Sequence, residues 1–198
     1  MLLWVNGPFG VGKTQTAFEI RRRLAGSVVC DPEEVGFGLH RMLPAHLRGD
    51  FQDFPAWRQG TAEVLARVLG GHGGDVIVPM TVTEPAYLAQ MLGPLRERGH
   101  EIRHFALLAD RSTVLRRLRG RTLPLQSDSF AKAKLDHCLD RLGQAGFAEH
   151  IGTDELTISQ VADRIAASAG LGLAAADGGF LRTRARRTWV TIQHVRVR

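Results

Sequence analysis

The chain has only two cysteines, Cys30 and Cys138, among its 198 residues. That is too few for a disulfide framework, and each falls in a stretch that reads as regular structure, so a reduced, cytoplasmic setting is expected. No apolar run approaches the roughly 20 residues of a membrane-spanning helix. The opening MLLWV has neither the charged start nor the length of a secretory leader, which adds to the expectation of a soluble protein. A fixed-period repeat and a long low-complexity tract are both missing, which excludes solenoid and fibrous architectures. The eight histidines are scattered, and none has the spacing of metal ligands on one helix. His40 and His46 flank the region read below as an acceptor pocket, where surface or core roles compete with a functional one.

Acidic residues are nearly absent from the end of the chain. From residue 171 onward six arginines stand against Asp177 alone, a balance of +5, so residues 1–170 hold the remaining +1 of the formal +6. The sequence pI near 10.3 therefore describes a basic tail on a nearly neutral body. At this length and 44% apolar composition, one domain with a substantial core is expected. We place that domain at residues 1–169 and a basic extension at 170–198.

What is present is a regular alternation of short apolar runs and amphipathic stretches. Strands are expected at 2–6, 27–31, 75–82, 101–109 and 149–153. Helices are expected at 13–25, 32–43, 55–69, 84–99, 111–121, 130–145 and 155–169, with a kink at Pro94 and a polar loop over 122–129. Pro79 marks the end of the third strand, because proline cannot donate within a central ladder. Strands separated by helices predict an α/β fold: a three-layer arrangement around a five-stranded parallel sheet. Ligands of such sheets sit at the carboxyl ends of the strands, so residues 6–14, 31–34, 79–84 and 109–112 should ring one crevice.

The stretch GPFGVGKT, residues 7–14, has the spacing of a phosphate-binding loop, and a strand before it and a helix after it supply the required context. Glycine permits the close approach of backbone N–H groups to phosphate, and the helix dipole adds favourable charge. Gly7, Pro8, Phe9, Gly10, Val11, Gly12, Lys13, Thr14 and Gln15 are the expected nucleotide contacts. Lys13 should bridge the β and γ phosphates of ATP, and Thr14 should ligate Mg2+.

Phosphoryl transfer also needs a group that orients or deprotonates the acceptor hydroxyl. Asp31 ends the second strand and is the candidate base, or a partner of magnesium-bound water; capping the helix that starts at Pro32 is the competing role. Glu34, Trp57 and Thr81 join Asp31 as candidate substrate contacts. For Trp57, with Phe54, core packing competes with paving an apolar pocket, and for Thr81 and Thr83 plain strand formation competes. The third strand has no acid before Glu84, a departure from the many phosphate-loop proteins that hold magnesium there.

In LRRLRGR, residues 115–121, Arg117 and Arg121 are four apart and share a helix face. They are candidates to neutralise transition-state charge from a lid that closes over the nucleotide; a solvated basic face is the alternative. The tail segment 188–197 alternates like a strand. It has open readings as an added strand, a pairing surface for a homodimer, or a peripheral contact with anionic lipid, while nucleic acid is the weakest partner.

Taken together, WVNGPFGVGKTQTA, DPEEVG, VIVPMTVTEP and RHFALLA resemble the bacterial tunicamycin-resistance ATP-binding family, within the nucleotide and shikimate kinase-like group of P-loop folds. The resemblance covers residues 2–169. It implies ATP binding by Gly7 to Thr14, a substrate crevice near Asp31, and resistance to a nucleoside antibiotic by phosphorylating the drug or by holding it. Similarity to antibiotic phosphotransferases of this fold supports Asp31 as base. The reading is an ATP- and magnesium-dependent kinase acting on a small-molecule hydroxyl. Its alternatives are an ATP-binding protein that sequesters a nucleoside antibiotic unmodified, and a nucleoside or nucleotide kinase.

Overall fold

The computed structural model describes residues 1–120, 127–144 and 147–176. Arg121 and the segment 188–197 lie outside the described residues, as does most of the basic extension.

Five strands, β1 (Leu2–Asn6), β2 (Val28–Val29), β3 (Val76–Pro79), β4 (Ile102–Leu108) and β5 (Glu149–Gly152), form one sheet in the order β2-β3-β1-β4-β5. Every pairing is parallel. β1 lies at the centre and is buried throughout, which explains its uninterrupted apolar sequence: neither of its faces meets water. β2 is shorter than the expected 27–31, because it is an edge strand that pairs only through Val28 and Val29 and is half-buried. β3 ends at Pro79 as expected.

Among the described residues seven helices accompany the strands: α1 (Lys13–Arg23), α2 (Glu33–Met42), α3 (Pro55–Gly71), α4 (Pro85–Glu97), α5 (Arg111–Arg119), α6 (Ser127–Leu142) and α7 (Ile158–Ser168). Two short 3-10 turns, Ala45–Leu47 and Phe51–Asp53, fill the α2–α3 connection. α4 continues through Pro94, and α6 starts three residues before its expected position. α3 runs two residues further than its glycines suggested, to Gly71. α7 starts later than expected, at a reciprocal cap in which Thr157 and Gln160 satisfy each other's backbone N–H groups.

The period-two alternation of the strands sorts side chains into two cores. Leu3, Val5 and Ile77 face α1 and α7, whereas Leu2, Trp4 and Val78 face α3 and α4. A crossover from β1 to β2 runs opposite to one from β3 to β4, so right-handed connections put α1 and α4 on opposite faces. The direction of travel reverses at β1, and this opens the crevice at its carboxyl end. Beyond α7, Leu171 and Leu173 still pack on the α1 face, and the Ala174 N–H donates to the Arg23 carbonyl at the end of α1 at 2.9 Å.

Candidate functional site

Residues 7–12 form a tight loop between β1 and α1. Gly12 precedes the helix with φ 112°, a left-handed conformation that disfavours any side chain, and a Cβ there would sit 3.0 Å from Ile158 Cδ1. Gly7 has φ 145°, and a Cβ there would come within 2.6 Å of the Leu107 carbonyl oxygen. Lys13 is the first residue of α1 and folds back along the loop, its Nζ donating to the Pro8 carbonyl at 3.1 Å and lying 5.4 Å from the Phe9 ring centroid. At 8% exposure the ammonium is nearly enclosed. Loop and lysine thus form a cradle of backbone N–H groups at a helix start, closed on one side by a cation. Thr14 follows in the first turn and is half-buried. Its hydroxyl suits magnesium, which takes few protein ligands and keeps several waters beside the phosphate oxygens. No cluster of three or more metal-ligating His, Cys, Asp or Glu side chains occurs among the described residues.

Sequence reasoning missed Asn6, the last residue of β1, which holds the loop in place. Its Oδ1 accepts from the backbone N–H groups of Gly7 at 2.8 Å and Val82 at 3.0 Å. That fixes the amide orientation, so Nδ2 donates to the Val82 carbonyl at 2.9 Å and to His104 Nε2 at 3.3 Å. His104, which also has a hydrogen bond with the Phe147 backbone, must then carry its proton on Nδ1. Burial, with the charge of Arg96 in support, pushes the His104 pKa down to about 4, so the ring is neutral as this arrangement requires. The signal available beforehand was an asparagine, a poor strand former, closing an apolar strand next to the loop.

Thr81, read as a pocket contact, is 4% exposed, and its Oγ1 donates to the Gly7 carbonyl at 2.8 Å. It braces the phosphate loop from the segment just past β3. Trp57 is fully buried, and its indole N–H donates to the Pro32 carbonyl at 2.9 Å. It packs in the core and holds the turn after Asp31. α2 starts at Glu33 with Pro32 in the N-cap position, and Asp31 Oδ1, two residues past β2, accepts the Glu33 N–H at 3.0 Å, which holds the carboxylate at the start of the helix. Glu34, one residue into α2, is exposed. Phe54 is half-buried and packs with Phe51, Leu39 and Tyr87 against the α3 face of the sheet.

Arg117 reaches the phosphate loop, but as a brace. Its guanidinium donates to the Val11 carbonyl at 3.3 Å, to Thr153 Oγ1 at 3.0 Å and to the Thr153 carbonyl at 2.6 Å. It ties the loop to the turn after β5, where Asp154 receives the Asp110 N–H at 3.0 Å. Burial raises the Asp154 pKa, but hydrogen bonds from Thr113 and Asp110 and the charge of Arg117 outweigh it and hold the carboxyl below its ordinary value. A cleft of about 350 Å³ opens beside this turn, lined by residues 108–111, Leu139, Gly152 and Asp154.

An AAA-domain family model matches residues 2–145. The tunicamycin resistance protein of Deinococcus radiodurans is 36% identical, with a TM-score of 0.73 over 88% of this chain and 98% of that one. The chain belongs to this family of P-loop, kinase-like proteins. A sugar kinase from Janibacter shares 14% identity at a TM-score of 0.63 over 86% of this chain and 95% of its own. A shikimate kinase from Bacteroides thetaiotaomicron shares 17% at 0.62 over 86% and 99%. These two likenesses show the fold alone. No curated protein matches the chain. Among the described residues no helix is long and apolar enough to cross a membrane.

Proposed function

We propose that the chain transfers the γ-phosphoryl group of ATP to a hydroxyl of a small-molecule antibiotic, a nucleoside antibiotic being the first candidate, and so confers resistance. The observation that carries this reading is the phosphate cradle: a glycine loop braced by Asn6, Thr81 and Arg117, with Lys13 enclosed beside it. Backbone N–H groups of residues 9–13 hold the phosphates, and Lys13 leaves the Pro8 carbonyl to meet them. Magnesium, when bound at Thr14, neutralises charge on the phosphate oxygens. Asp31 accepts the proton as the acceptor oxygen bonds to the γ-phosphorus; the bond to the β-phosphate oxygen breaks, and ADP leaves. Arg117, with Arg121, supplies positive charge near the transferring group once nucleotide competes for it.

Mass spectrometry tests the reading. Purified protein is incubated with ATP, magnesium and a panel of nucleoside and aminoglycoside antibiotics. A drug that gains one phosphoryl group, with one ADP formed per product, is the expected result. A drug retained by the protein with unchanged mass and no ADP overturns phosphotransfer in favour of sequestration.

A further inference from the structure

The acceptor side of the crevice and helix α6 meet at one carboxylate. Asp50 Oδ1 accepts the Gln52 N–H at 3.1 Å and so caps the turn Phe51–Asp53, while Oδ2 accepts from Lys134 Nζ of α6 at 2.6 Å. Gln52 carries the connection inward. Its Nε2 donates to the Thr81 carbonyl at 3.1 Å, and Thr81 Oγ1 donates to the carbonyl of Gly7, the first residue of the phosphate loop. Three residues on one side of α6 face the crevice together. Lys134 reaches the Phe51–Asp53 turn and Arg141 contacts Glu84 at 3.4 Å just before α4. Between them lies Cys138, buried, with its thiol pushed up by that burial.

We propose that Asp50 is a positioning residue that makes closure of helix α6 over the nucleotide and placement of the acceptor-side turn a single event, with Lys134 and Gln52 as its two arms. Hydrogen-bonded links with fixed partners transmit position: if α6 lifts, Lys134 leaves, the cap on Gln52 loosens, and Thr81 loses a neighbour that steadies its grip on Gly7. The strength suits a reversible latch. Lys134 and Asp50 side chains are 42% and 22% exposed, so water screens the pair and it opens at modest cost in every turnover. This inference rests on the crevice being a nucleotide site, but its structural half does not.

The test uses full-length protein and four variants: Asp50→Asn, Lys134→Met, Lys134→Arg and the double variant Asp50→Asn/Lys134→Met. Hydrogen exchange of the α6 amides is followed without ligand, and release of a fluorescent ATP analogue is followed with magnesium. Each charge-removing single variant should speed both α6 exchange and analogue release by about three- to fivefold, the range a partly exposed pair supplies. Lys134→Arg should restore wild-type values, and the double variant should be no worse than either single one, because both break the same bond. The added salt that slows nothing in Lys134→Met should speed release in the wild type. Exchange and release within the error of wild type in Lys134→Met, or fully additive effects in the double variant, would overturn the latch. If the wild type fails to bind the analogue, the nucleotide reading fails, and unliganded exchange alone decides the latch.

Discussion

Asn6 is fully buried and uses both ends of its amide to join the first loop residue, Val82 just beyond the third strand, and His104. Asn6→Ala leaves two buried N–H groups without acceptors, so a loss of roughly 2–4 kcal/mol is expected in urea denaturation. His104 adds a pH dependence. Its folded pKa of about 4 lies below the ordinary value of 6.5, so the unfolded chain binds more protons in between. This contribution to stability is fully present above pH 6.5 and declines as pH falls toward 4. His104→Gln should flatten that part of the stability curve, read from urea midpoints at pH 7 and 5. At Asp31 the prediction concerns chemistry: Asp31→Asn keeps an oxygen to accept the Glu33 N–H but has no basic carboxylate. It should abolish phosphoryl transfer while leaving ATP affinity within about twofold, measured by titration calorimetry; retained turnover would remove Asp31 from the mechanism.

Between elements, side chains on helices hold the turns that carry the chemistry. Arg117 of α5 joins the phosphate loop to the β5–α7 turn with a planar fork, and Trp57 of α3 holds the Pro32 carbonyl from below. Arg117→Ala should weaken ATP binding by about tenfold, and Arg117→Lys should recover only part of it, because an ammonium cannot serve the same fork of acceptors. The strands and helices themselves were legible in the sequence, since apolar runs and glycine stops are local signals, whereas the Thr157–Gln160 cap that starts α7 was not read. The phosphate loop was legible for the same reason: its glycines and Lys13 form a contiguous pattern. What Arg117, Thr81 and Trp57 do was not. Their residue types suit a lid, a strand or a pocket equally well, and the role is fixed by partners that come from distant parts of the chain. Asn6 was missed for the same cause, for its bonds run to residues 82 and 104.

At the scale of the molecule, the central strand and the reversal of chain direction at β1 fix where the crevice opens, and alternation within strands divides the interior into two cores. The segment after α7 closes one of them. Arg23 donates to the Ala174 carbonyl at 2.7 Å and to Asp163 at 2.5 Å, and Leu171 and Leu173 pack beside it. A chain ending at residue 176 keeps all of these contacts and one ending at 170 loses those of Leu171, Leu173 and Ala174, so the shorter should be less stable by roughly 2–4 kcal/mol in denaturant titration. The central claim is that the turn between β1 and α1 grips a polyphosphate. Titration calorimetry of ATP with magnesium tests it most directly: the wild type should bind with a single site, and Lys13→Ala should bind at least about tenfold more weakly. A wild-type protein with no affinity for any nucleoside triphosphate in the presence of magnesium would contradict it.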